Sequence, residues 1–128
     1  MPEPRIQHAA VVVGGQLYVL GGQPDRRDLI RFDPATREWT ELASMARLNG
    51  PVSAVELNGQ IFATASYGNT GVVEVYDPAT NVWSRRADLP GGRIDAAIVT
   101  WKGRVYIFGG NDDTKHWQPQ SATSIFVP

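Results

Sequence analysis

The side chains in this sequence with chemistry to offer are two histidines, a scatter of arginines and several carboxylates. His116 lies in the run Asp112-Asp113-Thr114-Lys115-His116-Trp117, and carboxylates with an imidazole are ligand types for a divalent cation. The Asp-Asp-x-x-x-His spacing fits no calcium loop, and acidic residues are common in solvated turns, so no metal is expected there. His8 sits among small and β-branched residues, where an imidazole is expected to hydrogen-bond a neighbouring strand or water. The glycine pairs Gly14-Gly15 and Gly21-Gly22 do not make a phosphate cradle, because no helical pattern follows them. With no Cys there is no disulfide framework, Cys-ligated zinc or Cys nucleophile. Nothing suggests a Ser on a strained turn beside a His. No residue is therefore assigned to catalysis, a cofactor or a metal.

The elements that position these side chains belong to one ordinary domain of 128 residues. Twelve Lys and Arg against thirteen Asp and Glu give a net charge of −1, which argues against a basic nucleic-acid footprint. The longest apolar run, Ala9 to Val13, is far too short to span a bilayer. Met1 to His8 holds a Glu, an Arg and two Pro, which is not a signal peptide. A cytoplasmic location is the expectation if Met1 is the native start.

An internal repeat organises the chain. Phe32-Asp33-Pro34-Ala35-Thr36-Arg37-Glu38-Trp39 recurs as Tyr76-Asp77-Pro78-Ala79-Thr80-Asn81-Val82-Trp83, a shift of 44. A further shift of 44 brings Gly103-Arg104-Val105-Tyr106-Ile107-Phe108-Gly109-Gly110 into line with Gly15 to Gly22, and Arg93-Ile94 into line with Arg5-Ile6. The sequence reads as repeats of about 1–44 and 45–88 and an incomplete third of about 89–128.

Each repeat reads as four strands. The first runs roughly from Gln7 to Val13 and ends at Gly14-Gly15, where a two-residue hairpin needs φ > 0; Asn58-Gly59 is the same signal one repeat on. Gln16 to Leu20 is a continuous apolar strand closed by Gly21-Gly22, and Leu29 to Phe32 is the third. Asp33-Pro34-Ala35-Thr36 is turn chemistry, with Pro presetting φ and the Asp side chain closing on the backbone. The fourth strand carries Trp39 and Leu42. Short strands at regular spacing, with no helical period, predict an all-β fold.

These residues resemble the kelch family of β-propeller repeats. Gly21-Gly22, Phe32-Asp33-Pro34 and Trp39 supply its pattern in the first repeat, Tyr76-Asp77-Pro78 and Trp83 much of it in the second, and Gly109-Gly110 the doubled glycine of the third. The resemblance implies four-stranded antiparallel blades, the first strand innermost, the Trp strand outermost, and Trp39 and Trp83 packing between blades. Trp101 and Trp117 fit no repeat position. In the second repeat Ala65-Ser66 replaces the doubled glycine. In the third, register is lost after Asp113, the segment from Asn111 to Ala122 reads as a loop, and Ser124 to Val127 reads as the third strand with no fourth after it.

Propellers close with about 4–8 blades, so three blades form half a ring with an apolar face open at each end. Closure is expected from a second copy, giving six blades; the alternatives are the remainder of a longer propeller or a different chain that completes the ring. In adaptor-type kelch domains partner peptides often dock on the rim that gathers the loops opening each repeat and those after the doubled glycines. The matching residues are Arg5, Arg47 and Arg93 from the first set, and Arg26, Arg27, Tyr67, Asn69, Asp112, His116 and Trp117 from the second. The competing role for the arginines that open a repeat is to satisfy carbonyls inside their own blade. The expected function is a binding module without a cofactor, recognising a protein or small ligand at the rim, with no nucleic-acid or membrane partner. The alternatives are a mutarotase-like, sugar-processing enzyme using the central pocket, or a structural half-propeller without a ligand. An axial surface of small apolar residues favours the module, and convergent titrating groups there favour the enzyme.

Overall fold

A computed structural model describes residues 1–64, 67–68, 71–112 and 118–128. The strands, in chain order, are β1 Ala9–Val13, β2 Gln16–Leu20, β3 Leu29–Phe32, β4 Trp39–Leu42, β5 Ser53–Leu57, β6 Gln60–Thr64, β7 Val73–Asp77, β8 Val82–Arg85, β9 Ala97–Trp101, β10 Arg104–Phe108, β11 Asn111–Asp112, β12 Gln118–Pro119 and β13 Thr123–Phe126. They form antiparallel sheets in the orders β1-β2-β3-β4, β5-β6-β7-β8 and β13-β10-β9, with β11 and β12 as a separate pair. The fold is all-β.

The turns follow from local chemistry. Gly14-Gly15, Asn58-Gly59 and Lys102-Gly103 all have positive φ at both positions, the requirement of a type I′ hairpin. Asp33 and Asp77 accept hydrogen bonds from the amides of Ala35 (2.8 Å) and Ala79 (2.9 Å), locking the β3–β4 and β7–β8 turns. Gly22 and Gly110 have φ of 101° and 92°, and a Cβ there would lie 2.8 Å from the Ile6 carbonyl oxygen and 2.6 Å from that of Ile94. Glycine is thus required for two reasons where the chain passes close to the start of its own repeat. The Ala65-Ser66 departure lies outside the described residues.

The third repeat corrects two expectations. Asn111–Asp112 pairs with Gln118–Pro119, so the connection is not wholly a loop. Phe108 pairs with Thr123 where Leu20 pairs with Leu29, so the repeat resumes after a connection six residues longer. Phe126-Val127-Pro128 then stands where Phe32-Asp33-Pro34 stands in the first repeat. A fixed shift of 44 cannot find this correspondence. The third sheet has three strands among the described residues.

The three sheets stack side by side with β1, β5 and β9 in contact at the centre. Val11, Val13, Tyr18, Leu20 and Leu29 of the first sheet meet Ile61, Ala63, Tyr76 and Trp83 of the second in one core. The second core joins Leu57, Phe62, Val73 and Val75 to Val105, Ile107 and Phe126. Both use the same positions. The Tyr18–Tyr76 ring pair (6.2 Å between centroids) recurs one repeat on as Phe62–Phe126 (5.6 Å).

Candidate functional site

Antiparallel order puts the β2–β3 connections and the links between repeats at one rim, with the hairpin turns at the other. At the first rim the chain bonds to itself across the repeat boundary. The amide of Gly22 donates to Gly50 O (2.7 Å), that of Met45 to Arg27 O (2.9 Å) and that of Gly50 to Arg26 O (3.0 Å). The loop after the first doubled glycine and the link to the second repeat thus form one surface.

The arginines on this rim divide into two groups. Arg5 is buried, donating to Gly21 O (3.2 Å) and to both carboxylate oxygens of Asp28 (3.3 and 2.8 Å). Arg93, equally buried, donates to Ala122 O and to Ser124 Oγ. Both brace the start of their repeat against the third strand of the same sheet or the connection into it, which occupies their guanidinium groups, although Arg5 also lines an open hollow of about 600 Å³ with Arg26 and Arg27. Arg47 is not their counterpart: that position in the second repeat is Asn49. The Arg47 side chain is exposed and unpaired among the described residues. Arg27 is exposed and donates to Ala46 O (2.9 Å), while Arg26 is partly buried against Glu3. Tyr67 and Asp112 are partly buried at the rim. Asn69, His116 and Trp117 lie outside the described residues, as does most of the suggested metal-ligating run.

Two features at this rim escaped the sequence reading. The first is Glu74, whose carboxylate is 2% exposed and accepts the backbone amides of Ala46 (3.1 Å), Arg47 (3.2 and 3.1 Å) and Leu48 (2.8 Å). It pins the link between the first two repeats, and no motif announces it. The second is a hollow of about 130 Å³ at the axial mouth, lined by Gln7, His8, Pro51, Val52, Ser53 and Asp95. Gln7, Pro51 and Asp95 are the same position in the three repeats. Gln7 and Asp95 have left-handed backbones, φ 56° and 54°, a sparsely populated conformation for such residues. His8 Nδ1 is buried with no hydrogen-bond partner among the described residues.

Along the axis, Ala10 to Val12, Ala54 to Glu56 and Ile98 to Thr100 line an open furrow of about 380 Å³. Its one carboxylate, Glu56, accepts the Gly59 amide at 2.7 Å. Among the described residues no group of three or more His, Asp or Glu is placed to hold a metal, and no helix is long and apolar enough to cross a membrane.

The tryptophans show how the sheets are joined. Trp83 Nε1 donates to Ala43 O of the preceding sheet at 2.7 Å, and Asn81 Oδ1 accepts both the Ala43 amide and the Tyr76 hydroxyl, each at 2.9 Å. Trp39, its counterpart, lies against Phe32 with the rings tilted at 39° (4.8 Å between centroids) on the open side of the first sheet. Trp101 does have a repeat position, that of Val13 and Leu57, on the open side of the third.

Comparison with known proteins agrees with this geometry. Residues 4–46 match the Kelch motif model. The chain is 35% identical over 126 residues to spermatocyte protein spe-26 of Caenorhabditis elegans, covering 88% of this chain and 22% of that protein. It is 31% identical over 123 residues to Kelch-like protein 36 of Rattus norvegicus (88% and 20% covered). It is 34% identical over 139 residues to Kelch repeat and BTB domain-containing protein 12 of Danio rerio (85% and 22%). The chain thus spans about a fifth of the length of these curated relatives. The solved structure of YjhT superposes with a TM-score of 0.77 at 19% identity, over 87% of this chain and 45% of that one. The repeat, its blade-like sheets and these relatives together place the chain in the kelch-repeat family of β-propellers.

Proposed function

We propose that the chain, 1–128, acts as one kelch unit and a binding module. It recognises a protein partner or small ligand through the rim of β2–β3 loops and inter-repeat links, and associates with a second copy to complete the ring. The observation that carries this reading is the axial furrow, which is aliphatic apart from Thr100 and Glu56, the carboxylate of Glu56 being occupied by its own hairpin. Among the described residues the furrow itself pairs no acid with a base, His8 and Asp95 lying in the small hollow at its mouth instead, which weighs against the mutarotase-like alternative. The rim, by contrast, presents Arg27 and Arg47 to solvent on a surface tied down by backbone bonds. Rigid strands carrying exposed loop side chains are the usual frame for recognition, and arginine is a residue type enriched at binding hot spots.

A displayed random-peptide library tests the reading. The wild-type chain should enrich peptides that the Arg27→Glu/Arg47→Glu double variant fails to retain, with both proteins giving the same circular dichroism. Equal retention by the two proteins would overturn the assignment of binding to this rim.

A further inference from the structure

Both ends of the stack carry an uncovered sheet face. On the first sheet the open face includes Val12, Phe32 and Trp39, with Val12 58% exposed, while Ile30 on the same face is buried at 3%. On the third it includes Val99, Trp101, Tyr106, Phe108 and Ile125, with Val99 48%, Trp101 58% and Phe108 42% exposed. The rings of Trp101 and Tyr106 lie 6.0 Å apart, and those of Tyr106 and Phe108 6.3 Å apart and stacked.

These faces are repeat copies of faces already joined inside the chain. The open side of the first sheet has the positions through which the second sheet packs on the first: Phe32 is the counterpart of Tyr76, Trp39 of Trp83, and Leu17 and Val19 of Ile61 and Ala63. The open side of the third sheet has the positions through which the first packs on the second. There Val99 is the counterpart of Val11, Trp101 of Val13, Tyr106 of Tyr18 and Phe108 of Leu20.

We infer that the open face of the third sheet docks on the open face of the first sheet of a second copy, twice, about a two-fold axis. This inference rests on the self-association in the reading above and names the surfaces that carry it. The closing contact continues the two internal ones. Tyr106 meets Phe32 of the other copy as Tyr18 meets Tyr76 and Phe62 meets Phe126. Trp101 and Phe108 are larger than Val13 and Leu20 at the same positions, so the contact buries more aromatic surface than the internal one. It differs at the outer end, where the third sheet has no fourth strand among the described residues and Trp39 meets no counterpart of the Ala43 carbonyl. One occupant satisfies both faces, because each copy brings the complement of the other.

A charge swap on two residues exposed in the single chain tests this. Light scattering on a sizing column across a dilution series should give the wild type a mass twice the 14.0 kDa of the chain. Val12→Lys and Val99→Asp, made singly, should each weaken association about 10-fold, because each places an unpaired charge at the axial edge of the contact, where the internal contact holds Glu56 bonded to its own hairpin. The Val12→Lys/Val99→Asp double variant should recover most of it, because every closing contact then holds one charge of each sign. Circular dichroism should show all variants folded, since both side chains are exposed in the single chain. A wild-type monomer at all concentrations would overturn self-association and this inference with it. A dimer indifferent to the single substitutions would leave self-association standing and overturn the assignment of these faces. Weakening by the single variants without recovery in the double would also overturn the face-to-face pairing.

Discussion

Replacing Glu74 by Gln should unsettle the link between the first two repeats. The side chain keeps its shape, but one acceptor oxygen becomes an NH₂ group facing backbone amides that need an acceptor. Glu74 holds three of them, and the Leu48 amide, at 2.8 Å, belongs to a residue with no exposure. A hydrogen bond to a charged group contributes about 1.5–3 kcal/mol, and a buried donor left alone costs about 1–3 kcal/mol. Glu74→Gln retains one oxygen, which stays on Leu48, so the loss should be about 2 kcal/mol. For 128 residues this corresponds to about 7 °C in Tm. Glu74→Ile removes both oxygens and should cost about 3–5 kcal/mol despite its greater hydrophobicity. The first repeat supplies the control, because Ile30 stands where Glu74 does and the matching link is Pro2-Glu3-Pro4, whose prolines have no amide hydrogen to donate. Ile30→Glu should therefore destabilise rather than stabilise. Urea denaturation followed by circular dichroism at one protein concentration measures all three. A loss below about 0.5 kcal/mol for both Glu74 variants would refute the reasoning, since it would leave no room for even one of these bonds.

Other consequences are equally direct. Gly22→Ala and Gly110→Ala should each cost more than about 3 kcal/mol, because strain at positive φ adds to a backbone collision, whereas Gly15→Ala, with open space around it, should cost about 1 kcal/mol; thermal melts separate them. Burial raises the Tyr76 hydroxyl above its ordinary value of 10.0, with the neighbouring Tyr18 adding to the shift. The folded state then holds that proton more tightly than the unfolded chain, so its contribution is intact below pH 10 and lost as pH rises through the folded value. Urea midpoints from pH 9 to 11 should accordingly fall less steeply in Tyr76→Phe than in the wild type. Arg5→Met should lower stability by about 2–3 kcal/mol by removing the bidentate partner of Asp28, which keeps only Arg26 at 4.0 Å, and by leaving the Gly21 carbonyl without its donor, whereas Arg47→Met should leave stability, measured by urea denaturation, within about 0.5 kcal/mol of wild type.

Much of the architecture is legible in the sequence because its signals are local. The hairpin dipeptides, the doubled glycines and the Asp-Pro-Ala-Thr turns each need particular residue types within a few positions, and a constant shift of 44 repeats them. What was not legible depends on partners far along the chain. Arg5 and Arg47 look alike as residues that open a repeat, and only Asp28 and the Gly21 carbonyl, brought in by the sheet, make the first a brace and leave the second exposed. Glu74 is invisible to a repeat search because its counterpart is Ile30; the signal lies in the pairing of an acceptor with a link that has amides to offer. Phe126-Val127-Pro128 was hidden by six extra residues in the connection before it, which break a fixed register without disturbing the strand pairing. Trp101 escapes a search for matching residues because the repeat has aliphatic residues at its position, Val13 and Leu57, where a neighbouring sheet covers them.

Recognition at the rim of β2–β3 loops is decided by where a ligand contacts the protein. Backbone hydrogen exchange, with and without a peptide selected by the wild-type chain, measures this directly. Added protection should concentrate in 23–28, 44–50 and 86–95, the rim that carries Arg27 and Arg47. Protection confined to the opposite rim, at Gly14-Gly15, Asn58-Gly59 and Lys102-Gly103, or to the inner strands β1, β5 and β9, would contradict it.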